Sequence, residues 1–169
     1  MSPTVPHART RLLLIAATFL AGILAGTAVD RVIVGGPAWH ELGAAAWLEY
    51  SRRADLGAGL VVYPIEAIGA ALLTIAAAVS NYFDGNRRWA TVLPLYCAAA
   101  LLIVGLLLTI KAAPVMLSLA VPQSASAVQQ AFDEFFLWGL YLRGTADTLA
   151  FAALVCALAS LYRVEPSGA

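Results

Sequence analysis

The chain is short of charge. Asp, Glu, Lys and Arg make up 12% of its 169 residues, about half the share in a soluble domain. Hydrophobic residues make up 62%, and so much apolar surface needs lipid as its solvent. Ten basic residues balance ten acidic ones, so there is no positive field for nucleic acid. Histidine is nearly absent too, with only His7 and His40. The paired Glu-x-x-His elements of di-iron bundles are missing, and a copper site wants more imidazoles. No metal ligand is assigned and no cofactor is named; a haem held by His40 alone is the one such reading left open. Cys97 and Cys156 sit in apolar runs without CxxC or Cys/His spacing, so they read as small buried hydrophobes. No G-x-S-x-G nucleophile motif is present. There is no internal repeat of the kind that secondary carriers are built from.

What is present is four long apolar runs, predicting spans at about 12–34, 57–80, 89–111 and 141–162 in a single membrane domain over residues 1–169. The fold class expected is all-α, an integral membrane up-down four-helix bundle. An amphipathic helix should lie in the interface between spans one and two, and a second short helix should precede span four. The first run follows Arg11. Gly26-Thr27-Ala28 resembles a leader cleavage site, but the run is longer than a leader's apolar core, which favours an uncleaved span. Gly22 and Gly26 form GxxxG, a motif for close helix approach. Asp30-Arg31 is expected to close this span, and Gly35-Gly36-Pro37 to break the helix. Over 37–53, Trp39, Leu42, Ala46 and Tyr50 share one helical side, and Glu49 stands four residues before Arg53, a favourable pair. After span three, 112–126 reads as a loop with Pro114 and Pro122. Ser126 with Gln129 fits a capping box for a helix from about 127.

Basic residues suggest the orientation. Arg9, Arg11, Arg87, Arg88 and Arg163 gather in the tails and the 81–88 turn with only Asp84 and Glu165 opposing them, while the other five basic residues share the opposite face with Asp30, Glu41, Glu49, Asp55, Asp133 and Glu134. The positive-inside rule makes the side of the tails cytoplasmic, with both termini there and the protein integral to the cell inner membrane.

Polar residues inside the spans mark where chemistry would sit. Glu66 falls on the order of 13 Å along span two, well into a ~30 Å core. A carboxyl there should face the bundle interior. Tyr63 stands one turn before it, and Pro64 frees a carbonyl nearby. Thr109 and Lys111 on span three and Arg143 and Asp147 on span four fall in the same outer half, with His40, Tyr50, Arg52, Arg53 and Asp55 on the cover above. This points to a pocket in the outer half of the bundle, of the kind that suits a small, mostly apolar ligand. The candidate catalytic residues are His40 as base or proton shuttle, Glu66 as proton carrier and Arg143 as oxyanion binder. Trp39, Tyr63, Thr109 and Asp147 are the candidate substrate-binding residues. Each has a plainer role: headgroup contact for His40, an interhelical hydrogen bond for Glu66, a salt bridge for Arg143 with Asp147.

The small-residue first span (Ala21-Gly22…Gly26), the Trp-containing loop after it, the Thr109…Pro114 exit from span three and Phe136-x-Trp138…Arg143 entering span four together resemble a family of small four-span membrane proteins that includes anthrone-oxygenase-like proteins of polyketide pathways. The resemblance covers nearly the whole chain as a hydropathy layout. It implies cofactor-independent or metal-assisted oxidation of a lipophilic phenolic substrate, and it carries over no catalytic residue. The first functional expectation is therefore a membrane oxidoreductase or oxygenase-like enzyme acting on a lipophilic substrate. The others are a non-catalytic accessory subunit of a larger membrane complex and a binding or transport module for a small hydrophobic molecule. The partners expected are the bilayer, such a ligand, and a second copy or larger complex, with no nucleic acid.

Overall fold

A computed structural model describes residues 8–162. The flanking tails, with His7 and Arg163, lie outside the described residues. The fold is all-helical, and no strand occurs among the described residues. Four helical stretches are long and apolar enough to cross a membrane: Ala8–Leu42, Ala44–Phe83, Trp89–Ser118 and Ala125–Tyr162.

Three of these stretches are compound. Helix α1 (Ala8–Asp30) passes through a wide π-helical turn, Arg31–Gly35, into α2 (Gly36–Leu42). The expected break at Gly35-Gly36-Pro37 does not occur. Pro37 sits in the first turn of α2, where its missing N–H matters least. The chain turns instead at Gly43, whose φ of 88° suits a residue without a Cβ. Helix α3 (Ala44–Arg53) follows, then a second π turn (Ala54–Ala58) kinked at Gly57, and α4 (Gly59–Phe83) with Pro64 inside. The expected single helix over 37–53 is thus two helices. After a turn at Gly85, α5 (Trp89–Ser118) runs straight through Pro94 and Pro114, so the first residues of the expected 112–126 loop are helical. Helix α6 (Ala125–Phe135) begins one residue after its cap: the Ser124 hydroxyl, not that of Ser126, accepts from the Ala127 N–H. A third π turn (Phe136–Leu142) joins α6 to α7 (Arg143–Tyr162).

The long helices form a closed ring in which α1 packs on α4 and α7, and α5 on α7 and α4. The core at the end holding the start of α1 is alanine and leucine: Leu14, Ala17, Ala21, Ala70, Leu95, Ala98, Leu154 and Ala157. Small side chains let the backbones approach closely, which maximises dispersion contact where lipid offers no hydrophobic drive between helices. Gly22 takes part, its missing Cβ leaving room for the Phe151 ring, whereas Gly26 faces open space. Polar pairs tie this end: Thr10 with Ser80 and Asp84, and Thr91 with Ser160 at 2.6 Å. Large apolar side chains such as Phe19, Leu72 and Leu107 point outward and are exposed, as a surface facing hydrocarbon requires.

The other end has a second core, largely aromatic. Trp39, Trp47, Phe132, Phe135 and Phe136 from α2, α3, α6 and the third π turn interlock with Leu119 and Leu140. Arg52 holds this cover to the end of α5, donating from Nε to the Leu119 carbonyl (2.8 Å) and from Nη2 to that of Val121 (3.0 Å). These carbonyls lie at and just past a helix C-terminus, where a cation is favoured. The Glu49–Arg53 pair expected from spacing forms, but both side chains are exposed.

Candidate functional site

Beneath the aromatic cover the ring of helices is not filled. A cavity of about 450 Å³ lies between α4 and α5, within the size range of ligand pockets. Its walls are apolar: Leu60, Pro64, Ala67 and Ile68 from α4, and Leu106, Ile110, Ala113 and Leu117 from α5. It opens sideways. Leu60, Ile68, Ile110 and Leu117 line it and are each about half exposed or more on the outer surface. Its polar end is formed by Arg31, Asp55, Tyr63, Thr109 and Arg143.

Two arginines dominate that end and differ sharply. Arg31 is buried and engaged through one nitrogen: Nη2 donates to the Asp55 carboxylate and to the Tyr63 hydroxyl. Tyr63 in turn donates to Asp55 at 3.2 Å, and the Arg31 guanidinium stands 4.8 Å from the Tyr63 ring centre. The first π turn, the second π turn and α4 are thereby locked together. Arg143 has one ion-pair partner, Asp147 as expected from the spacing, and no hydrogen bond to a described residue. Its Nε lies 3.7 Å from Asp147 Oδ2, beyond hydrogen-bond range. Neither atom has a hydrogen-bond partner among the described residues, and both are buried. Asp147 packs on α5 at Gly105, where an added Cβ would meet its Oδ1 at 2.7 Å.

A second, smaller chamber of about 10 Å³ lies behind Arg31, Tyr63 and Arg143, which line both spaces. That is about the room one water needs. Glu66 faces this chamber, and its buried Oε2 has no hydrogen-bond partner among the described residues.

The expected site residues therefore divide. Tyr63, Thr109 and Arg143 line the cavity, Glu66 sits behind its polar end, and Asp147 backs Arg143. The Thr109 hydroxyl is spent on the Gly105 carbonyl at 2.9 Å. His40 and Trp39 are placed elsewhere. His40 is exposed on the cover with its ring against Phe132 and Phe136, and it lines neither space. Trp39 is buried between Tyr50 and Phe136. One helical step of about 100° separates their side chains, so when Trp39 turns inward His40 turns out.

Arg31 and Asp55 were missed as site residues, expected at the end of span one and on the cover. A signal for Arg31 was present. It continues the buried stripe Leu14, Ala17, Ala21, Leu24, Ala28 at steps of three and four, which Asp30 does not. No local pattern pairs it with Asp55, 24 positions on.

No family model, curated protein or solved structure matches this chain.

Among the described residues no group of three or more His, Cys, Asp and Glu side chains is placed to hold a metal ion. Chemically, the site offers one charge triad in which Asp55 Oδ2 is buried without a hydrogen-bond partner among the described residues, one guanidinium with donors to spare, one carboxyl beside a water-sized space, and an apolar cleft leading to them.

Proposed function

We propose that this chain is an integral membrane protein that binds a small lipophilic molecule between α4 and α5. On this reading the four long helices cross the bilayer up and down, and α2, α3 and α6 form the interfacial cover. Both termini are cytoplasmic in the inner membrane, so the cavity lies in the outer half. The observation carrying the proposal is the combination of an apolar cleft of about 450 Å³ with a polar end at Arg31, Asp55, Tyr63 and Arg143. Such a site buries a ligand's body and orients it through a few polar groups. Oxidation of a lipophilic phenolic guest by dioxygen, the anthrone-oxygenase type implied by the sequence resemblance, with a ring methylene becoming a carbonyl and water leaving, belongs to the same proposal. There Arg143 would face the reacting oxygen and Glu66 would move a proton.

The test is solvent extraction of the purified protein followed by mass spectrometry, for wild type and Ala113→Trp, which fills the cleft. A small lipophilic molecule near one per chain in wild type and absent from the variant is the expected result. Identical extracts would leave the accessory-subunit reading in its place. Glu66→Gln then separates binding from chemistry: it should retain the molecule and lose its conversion.

A further inference from the structure

We infer that the molecule held in this cleft is a single-chain amphiphile bearing a carboxylate, drawn sideways from the bilayer with its head on Arg143. This rests on the binding reading above and adds the chemical class of the guest.

Three observations carry it. The first is the state of Arg143. A guanidinium has five N–H donors in a planar fork, and here it makes no hydrogen bond to any described residue while lining an apolar cavity. Its Nε is buried with no hydrogen bond made, which is costly; carboxylate and phosphate both match the fork two bonds at a time, and carboxylate is the smaller of the two.

The second is charge. The charged residues lining the cleft are Arg31, Arg143 and Asp55. Arg31 pairs with Asp55 and Arg143 stands 3.7 Å from Asp147, so Arg143 is the cation at the cleft with hydrogen-bond donors left for a guest. Asp147 and Glu66 do not line the cleft: one backs Arg143 against Gly105, the other faces the smaller chamber. An anionic head thus reaches Arg143 from the cleft, which Asp147 does not line, and Asp55 is the one carboxylate there, held by Arg31 and Tyr63.

The third is the shape of the opening. The cleft leads outward past Leu60, Ile68, Ile110 and Leu117, exposed side chains on helices apolar enough to cross a membrane. A hydrocarbon chain leaving by that path passes from apolar protein into apolar lipid without crossing water. The head needs burial, while the tail needs no closed pocket of its own length.

The experiment uses the full chain in lipid nanodiscs, with oleate and oleyl alcohol as probes differing only in the head. Binding is read by native mass spectrometry for wild type, Arg143→Gln and Ala113→Trp. Oleate should bind wild type at least about tenfold more tightly than the alcohol, the scale of one charge-assisted hydrogen-bonded pair. Arg143→Gln should lose that preference while still binding the alcohol, and Ala113→Trp should bind neither. Equal binding of both probes by wild type overturns the carboxylate assignment and leaves the cleft as a ligand site. Preference retained in Arg143→Gln moves the head away from Arg143 and overturns it too. Binding of neither probe by wild type removes this inference; the extraction experiment judges the cleft separately. Should Arg143→Gln fail to fold, the infrared band of oleate labelled with ¹³C at its carboxyl decides on wild type alone. An ionised carboxylate distinct from that in protein-free nanodiscs supports the proposal, and a spectrum identical to theirs overturns it.

Discussion

From Leu14 to Leu24, α1 meets its neighbours through alanine and leucine with almost no surface left over. Seven residues further on, at Arg31, the same face meets a carboxylate, a phenol and a cavity. The first region is held by many small dispersion contacts, none decisive. The second is held by a few polar contacts, each of which matters, with open volume beside them. A membrane bundle needs the first to be stable. It tolerates the second only where ordering charged groups serves something else.

Mutations can break this contrast. The largest effect is expected at Asp55→Asn, which leaves Arg31 buried without its counter-charge. Loss of one partner from a buried pair costs about 3–5 kcal/mol, enough to lower the midpoint of thermal unfolding in detergent by many degrees. Next comes a matched pair of truncations. Leu154→Ala, in the fully packed region, should cost about 2–5 kcal/mol. Leu106→Ala, on the cavity wall, should cost clearly less, because part of its surroundings is already open. Equal losses would mean the two regions are equally well packed, and the contrast would fall. Gly105→Ala sharpens it at the boundary by forcing Asp147 aside; overpacking there should cost about 1–3 kcal/mol, read by the same melt. At the small end, Arg53→Ala removes an exposed ion pair with Glu49 and should change stability by less than about 1 kcal/mol.

The packed region was largely legible in the sequence. Four apolar runs announce four long helices because nothing else satisfies backbone polar groups in so apolar a setting. Where those helices end was not legible. Pro37 and Pro114 look like stops, yet one occupies a first turn and the other is carried within α5. The site was half legible. Glu66 and Arg143 stand out as charges within apolar stretches, and both face the enclosed spaces. Asp55 did not stand out, because its role depends on a helix pair that folds the chain back between it and Arg31. His40 drew notice through its chemistry alone, although its spacing from the inward Trp39 already turned it away.

The three wide turns at Arg31–Gly35, Ala54–Ala58 and Phe136–Leu142 all lie around the site. Those at Arg31–Gly35 and Phe136–Leu142 wind more residues into a lap than an ordinary helix does, while Ala54–Ala58 is broken at the non-helical Gly57. Removing a single residue from Phe136–Leu142 would let the chain rewind to regular pitch. The flanking helices would then keep nearly their present bearings, because a wide turn covers with one residue more about the rotation of an ordinary one, whereas a residue added would swing them by about 100°. In that second case the aromatic lid and Arg143 could not both keep their bearings, so this stretch should accept the loss of one residue far more readily than the gain of one.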